Sequence, residues 1–198
     1  MKHTRLDSTN YKQIFKKEIK EFDKLTSGKS IGFRAPTFSL NEKSSWVIDE
    51  LVNNNYKYDS SIIPAKTSLY GIPNAEKTPY KITSENLGKN SDNGKLIEFP
   101  LLVTKFFGKT IPTAGGFYLR FLPSKIIKNS IKNNEKKKID SSFYIHSWEL
   151  TPEHIPKIKL PLKNKFITFH KINKTFSKME ELFKEFNFTS FNSYLKNN

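Results

Sequence analysis

Segments with a helical apolar period alternate along this chain with short runs of β-forming residues, and this alternation constrains the fold more than any other feature. The stretch STNYKQIFKKEIKEFDKLTSGK has apolar residues at positions 11, 14, 15, 19, 22 and 25, the stripe of an amphipathic helix. Further helices are predicted over EKSSWVIDELVNNN, PSKIIKNSIKNN and KTFSKMEELFKEFNF. Between them lie the β-forming runs SIGFRAP, YKYDSSII and GKLIEFPLLVT. The pattern predicts an α/β class with a mainly parallel sheet or barrel.

Three other segments complete the predicted architecture. In SSFYIHSWEL, residues 141–150, the run Phe143–Ile145 predicts a short buried strand that ends at His146. The segment PKIKLPLKNKFITFH is predicted to be extended, and FTSFNSYL is predicted to be a short terminal strand or tail. At 198 residues the chain is long enough for one domain with a substantial core, so a single domain over residues 1–198 is expected.

Composition excludes several classes of protein. No run of 18 uncharged apolar residues is present, so no transmembrane segment is predicted, and the first residues lack the apolar core of a signal peptide. The absence of cysteine excludes disulfides and thiolate chemistry and fits a reducing compartment. A cytoplasmic location is therefore expected.

The net charge of +15 invites a nucleic-acid interpretation, but the cations are almost all lysines. The only arginines are Arg5, Arg34 and Arg120. Base recognition and bidentate phosphate binding favour arginine, whereas scattered lysines usually form a solvated surface. No nucleic-acid partner is expected, although a basic nucleic-acid binder is kept as a third hypothesis, and the lysines leave attraction to anionic membranes or polysaccharides open.

Reactive side chains follow three of the predicted strands: Arg34 after IGF, Asp59 after YKY and His146 after FYI. Successive parallel strands bring their carboxyl ends to one edge, so these residues are candidates for one site. Each also has a simpler interpretation. His146 would be a core histidine bonded to backbone, Asp59 an exposed residue that opens a turn, and Arg34 the partner of a nearby carboxylate.

Four segments of the chain resemble a known family. GFRAPTFSL, YKYDSSIIPAKTSLYGIPNA, LIEFPLLVTKFFGKTIPTAGGFYLRFLP and FYIHSWEL look, in this order and spacing, like polysaccharide deacetylases of the NodB-homology type, carbohydrate esterase family 4. The resemblance runs from about His3 to Tyr194 and is closest to the branch found beside exopolysaccharide genes. It implies a metal-dependent N-deacetylase on a distorted (β/α) barrel, with an acetylated polysaccharide as substrate.

The resemblance also implies roles for individual residues. A divalent ion, usually zinc, activates the attacking water in that family. His146 matches the acid that protonates the leaving amine. Arg34 matches the arginine that keeps the base aspartate ionised, and Asp59 matches the aspartate that orients the acid histidine. Backbone near Thr37 matches the oxyanion pocket, although the family's usual aromatic residue is a threonine here.

Sugar contacts are expected from three side chains, which are Tyr118, Arg120 and Trp148.

The sequence departs from the family at the metal site. No Asp-Asp pair and no H-x-x-x-H pair occurs in it, and only His3, in KHTRLDS, matches a metal ligand. Asp7 is expected to cap a helix, and His154 and His170 to be solvated. We therefore expect an incomplete barrel that lacks its first strand–helix units and holds no catalytic metal by itself. An upstream start, a complementing N-terminal fragment or a decayed relative would each account for this, and an open edge would favour self-association.

The leading hypothesis is a hydrolase that removes N-acetyl groups from a cell-surface or exopolysaccharide, with this chain inactive or incomplete alone. The alternative is a non-catalytic carbohydrate-binding or scaffold protein that keeps the aromatic residues Tyr118 and Trp148 without metal chemistry.

Overall fold

The computed structural model describes residues 11–67, 70–155 and 159–197. Contacts between residues divide the chain into two compact units, one up to Pro112 and one from Thr113 onward. The single domain expected over residues 1–198 stays a prediction. Helices and sheets are both present, which confirms the mixed α/β class. The distorted barrel stays a prediction.

Two helices supply much of the core of the first unit. Helix α1, Tyr11–Leu25, buries Tyr11, Phe15 and Ile19, which are spaced four residues apart on one face. After Leu25 the chain turns through Ser27 and Gly28, whose φ values are +52° and +68°. The Gly28 N–H donates to the Asp23 carbonyl at 2.8 Å, the bond that closes a left-handed helix end. Helix α2, Trp46–Asn53, buries Val47, Ile48 and Leu51. Both helices agree with the sequence prediction.

The strands of the first unit are very short. The four-stranded sheet has the order β1-β2-β4-β3. Strands β1, β2 and β4 are parallel, and β3 is antiparallel to β4. The mainly parallel sheet is therefore confirmed, and the carboxyl ends of three strands meet at one edge. The bounds are Gly32–Phe33 for β1, Tyr58–Asp59 for β2, Tyr80–Ile82 for β3 and Leu96–Glu98 for β4.

A separate hairpin closes the first unit. Strands β5, Val103–Phe106, and β6, Lys109–Pro112, are antiparallel and joined by Phe107 and Gly108. Both turn residues have positive φ, +45° and +75°, as in the turns that match the twist of two-residue hairpins.

The second unit is mainly helical. Helix α4 buries Ile127 and Ile131, and helix α6 buries Met179 and Leu182, so both have one apolar face. Lys128 links these two helices by ion pairs with Glu181 and Glu185. The helices are α3, Gly116–Phe121; α4, Ser124–Glu135; α5, Leu162–Phe169; α6, Thr175–Phe183; and α7, Phe191–Asn197. Short 3-10 turns span Ser147–Glu149, Pro152–His154 and Ile172–Lys174.

Three predictions of secondary structure are wrong in this unit. Residues 143–145 form no strand and are only half-buried. The segment predicted to be extended contains helix α5, and the predicted terminal strand or tail is helix α7. Among the described residues no helix is both long and apolar enough to cross a bilayer.

Candidate functional site

Arg34 lies at the carboxyl end of β1 and is fixed to the residue that follows β2. Its Nε donates to the Ser60 carbonyl at 2.7 Å, and its Nη2 donates to the Ser60 hydroxyl at 2.7 Å. That hydroxyl in turn donates to the Phe99 carbonyl at 2.8 Å, next to the end of β4. The guanidinium also lies 5.8 Å from the centre of the Phe38 ring. Arg34 thus joins the ends of three parallel strands.

Asp59 and Glu98 form a buried carboxyl pair beside this arginine. They are in register on β2 and β4, and neither side chain is exposed to solvent. The Ser61 hydroxyl donates to Asp59 Oδ1 at 2.6 Å and accepts from the Ala35 N–H at 2.7 Å. Glu98 Oε1 accepts from the Ile62 N–H at 2.9 Å. The exposed-turn interpretation of Asp59 is wrong, because its carboxylate is enclosed.

Burial governs the protonation of the pair. It raises the pKa of Asp59 to about 6, against the opposing effects of bonds from Ser61 and Glu98 and the charge of Arg34. Burial, together with the negative charge of Asp59, holds the pKa of Glu98 well above its usual range. Asp59 Oδ2 has no donor among the described residues. A proton on Glu98 supplies one, because the two carboxyl groups are within hydrogen-bonding reach. The pair therefore shares a proton near neutral pH.

In the second unit, two glycines allow the His146 segment to approach helix α3. Gly115 and Gly116 have φ values of +55° and +50°. A Cβ on Gly115 would lie 1.6 Å from the Tyr144 carbonyl oxygen, and one on Gly116 would lie 2.8 Å from the Tyr144 hydroxyl. Only glycine permits both the backbone conformation and this approach. The double glycine in the sequence therefore leaves the space that Tyr144 occupies.

The His146 side chain is exposed and has aromatic neighbours. Its ring is nearly parallel to that of Trp148, with centroids 5.6 Å apart, and it meets the edge of Tyr144 at 5.5 Å. The interpretation of His146 as a core histidine is wrong. Its backbone N–H donates to Glu149 Oε2 at 2.9 Å, which fixes the segment rather than the ring. The imidazole is thus presented to solvent on a positioned backbone.

A buried ion pair holds Glu149. The Arg120 side chain is 2% exposed, and its Nη2 lies 3.0 Å from Glu149 Oε1. Nη1 of Arg120 donates to the carbonyls of Thr168 at 2.8 Å and His170 at 3.0 Å. Burial lowers the pKa of Arg120 and Glu149 raises it, but an arginine stays charged. The guanidinium is enclosed by protein groups, so the structure offers no surface of Arg120 to a sugar. It instead connects α3, α5 and the His146 segment.

Two other predicted site residues are Thr37, in the first unit, and Tyr118, in the second. Thr37 is exposed with φ of +53°, and Phe38 follows at +54°, a left-handed pair that is strained for residues other than glycine. Tyr118 is half-buried in α3. His146 belongs to the second unit, whereas Arg34 and Asp59 share one sheet edge in the first.

A known sequence family matches a large part of the chain. A sequence family described as "Domain of unknown function (DUF3473)" matches residues 60–196. The chain belongs to this family. The family is associated with polysaccharide deacetylase-like proteins. No curated protein and no solved structure matches the chain.

The DUF3473 match includes Glu98, His146 and Glu149 but begins just after Asp59. Sequence reasoning missed Glu98 and Glu149. A signal was available for Glu98, since it is a carboxylate at the end of a strand with buried neighbours, in LIEF. For Glu149 no comparable signal exists, because its partner Arg120 is distant in sequence and burial becomes visible only in the fold.

The metal implied by the resemblance finds no site in the described residues. Within residues 11–67, 70–155 and 159–197, no three His, Cys, Asp or Glu side chains lie close enough to hold an ion. His3, the one matched ligand, lies outside the described residues, as does Asp7. The described residues therefore do not fit a catalytic metal by themselves.

Proposed function

We propose that this chain is the proton-handling part of a hydrolase that removes N-acetyl groups from a cell-surface or exopolysaccharide, on an incomplete barrel of the NodB type. The observation that carries the proposal is the presentation of His146. Its imidazole is open to solvent beside two aromatic rings, while a buried ion pair positions its backbone through Glu149. Membership of a family associated with polysaccharide deacetylase-like proteins supports the same reaction class.

In this proposal water adds to the acetamide carbonyl, and His146 gives a proton to the sugar's amide nitrogen as its bond to the acetyl carbon breaks. Acetate is released and the amine stays on the sugar. An amine anion is a very poor leaving group, so C–N cleavage requires a general acid at that atom. An exposed imidazole suits this role, because a general acid must reach the atom that it protonates. The indole of Trp148 offers an apolar face beside the imidazole, and aromatic faces of this kind suit the C–H surface of a sugar ring.

In this proposal the first unit contributes the buried carboxyl pair of Asp59 and Glu98. The positive charge of Arg34 lowers the pKa of Asp59 against the larger effect of burial. The expected partner of Arg34 is the family's base aspartate, which this sequence lacks, so its role stays a prediction. The proposed role of Asp59 in orienting His146 also stays a prediction.

Acetate release from an N-acetylglucosamine oligomer tests the proposal. The sequence lacks both the Asp-Asp and the H-x-x-x-H motifs, so we expect little or no acetate release from the chain alone, with or without added zinc. In an enzyme completed by a fragment that carries these motifs, His146→Ala should lower kcat by about 10²–10⁴-fold, the scale of a general acid, with oligomer binding retained. His154→Ala, which removes another exposed imidazole, is the matched control and should change nothing.

The alternative is a non-catalytic carbohydrate-binding protein, and the partly exposed Trp148 favours it together with the missing motifs. It predicts oligomer binding that Trp148→Ala weakens, and acetate release no faster than in buffer even when a fragment carrying the missing motifs is present. That result would replace the hydrolase proposal.

A further inference from the structure

Helix α5 is less buried than α4 and α6, the other described helices of the second unit that are at least as long. None of its residues, Leu162–Phe169, is buried, although half of them are apolar. Leu162 is 87% exposed, Phe166 49% and Ile167 38%. Polar contacts hold the end of the helix instead, because the carbonyls of Ile167 and Thr168 accept from Arg120. An amphipathic helix normally buries its apolar face, so this face is available to something else.

The exposed face continues onto helix α3. Phe166 meets the ring of Phe117 at 6.0 Å, and Phe117 stacks on Phe121 at 5.1 Å. Phe121 is itself 49% exposed. We call Phe121, Leu162, Phe166 and Ile167 the apolar patch. Contiguous exposed apolar surface of this kind marks a binding site rather than an ordinary protein surface.

The charges around the apolar patch have one sign. From residue 154 to residue 179 the sequence contains no Asp or Glu. Five exposed lysines lie in this stretch, at positions 159, 163, 165, 171 and 174. A solvated helix face usually mixes both signs, as α6 does with Lys178, Glu180 and Glu181. Apolar side chains surrounded by lysines alone are the pattern of a helix that lies on an anionic membrane surface.

We propose that helix α5 and the apolar patch dock on the surface of an anionic phospholipid bilayer. Leu162 and Phe166 enter the boundary between headgroups and acyl chains, while the neighbouring lysines contact lipid phosphates. The combination favours lipid over an anionic polysaccharide, which would engage the lysines but has no use for Leu162. The inference is independent of the proposed hydrolysis and would bring the chain to a surface.

Co-sedimentation with phosphatidylcholine vesicles, with and without phosphatidylglycerol, tests the proposal. The protein should bind vesicles that contain phosphatidylglycerol, and added salt should weaken the binding. The double substitution Lys163→Gln, Lys165→Gln should weaken it about 30-fold, since each lysine near an anionic surface contributes about a factor of five. The double substitution Leu162→Gln, Phe166→Gln should weaken it more than tenfold.

Matched controls separate the patch from general charge and hydrophobicity. Lys136→Gln with Lys137→Gln removes two exposed lysines after helix α4, and Phe107→Ser removes an aromatic side chain that is 90% exposed. Both variants should bind as the wild type does. Circular dichroism verifies that every variant is folded, and acetate release from a soluble oligomer should be the same in all of them.

Any of three results would overturn the proposal. The first is that the wild type fails to bind anionic vesicles. The second is that the Leu162, Phe166 variant binds as tightly as the wild type, and the third is that the Lys136, Lys137 variant loses as much affinity as the Lys163, Lys165 variant. A soluble dimer that dissociates only in the Leu162, Phe166 variant, without vesicle binding, would assign the patch to a second copy of the chain.

Discussion

Asp59→Asn should change the pH dependence of stability, because the wild-type carboxyl has a higher pKa in the folded than in the unfolded chain. Burial raises the pKa of Asp59 from 3.8 to about 6. The folded state therefore binds the extra proton between about pH 4 and pH 6. The stability that Asp59 contributes is fully present below about pH 4 and is lost as the pH rises through about 6.

The size of this effect follows from the pKa difference. A change from 3.8 to about 6 corresponds to about 3 kcal/mol. Asparagine keeps the oxygen that accepts from Ser61 and removes the titrating group. The free energy of unfolding of Asp59→Asn, relative to the wild type, should therefore rise by about 3 kcal/mol between about pH 4 and pH 8.

Urea unfolding across this pH range is the assay. Trp46 packs against Phe15 in the first unit and reports on that unit once Trp148 is replaced by phenylalanine in all variants. Asp49→Asn, an exposed aspartate on α2, is the control and should show little pH dependence. A difference between Asp59→Asn and the wild type that is flat with pH, or that falls as the pH rises, would refute the reasoning about burial.

Two further substitutions test the second unit by urea or thermal unfolding. Glu149→Gln should destabilise it by about 3–5 kcal/mol, because Arg120 is left as an unpaired buried charge; a loss below about 1 kcal/mol would contradict this. Gly115→Ala should lower the free energy of unfolding by more than about 4 kcal/mol, since its Cβ would overlap the Tyr144 carbonyl. Gly28→Ala, whose Cβ would have nothing within 4 Å, should lower it by only roughly 1–2 kcal/mol. Equal losses for the two glycines would show that close packing is not the reason.

Sequence patterns predicted the three parallel strands, which have local boundary signals, but not the antiparallel β3, which lies at the end of a segment rich in proline and glycine. Gly32 begins β1, Pro36 follows it, and a proline follows β4 closely. The strands have only two or three residues, so they make few ladder bonds. Side chains compensate, since Ser60 and Glu98 bond to backbone groups of neighbouring segments. Such bonds depend on distant residues and leave no pattern in the sequence.

The misses in the second unit have separate causes. Residues 143–145 are apolar because Tyr144 packs against the two glycines, and not because the run pairs in a sheet. Helix α5 has apolar residues at 162, 166 and 169, a helical spacing. Pro161 and the scattered lysines led to the extended prediction, although proline is tolerated where a helix begins.

The arrangement of His146 was only partly predictable. The run FYIH indicated the position of the imidazole, and SWE supplied its aromatic and acidic neighbours. That the histidine is exposed, and that Glu149 positions it through Arg120, depends on contacts between residues about 30 positions apart. Burial of both charges is what changes Arg120 from a predicted sugar ligand into a structural group.

The central claim is that His146 acts as the proton donor in removing an acetyl group from a sugar nitrogen. The most direct test is acetate release from an N-acetylglucosamine oligomer by the wild type and by His146→Ala, each completed by a fragment that carries the missing Asp-Asp and H-x-x-x-H motifs, at equal protein and oligomer saturation. The account predicts a rate above that of buffer for the completed wild type and a fall of about 10²–10⁴-fold for the completed variant. Equal rates in the two completed proteins, or a completed wild-type rate equal to that of buffer, would contradict it.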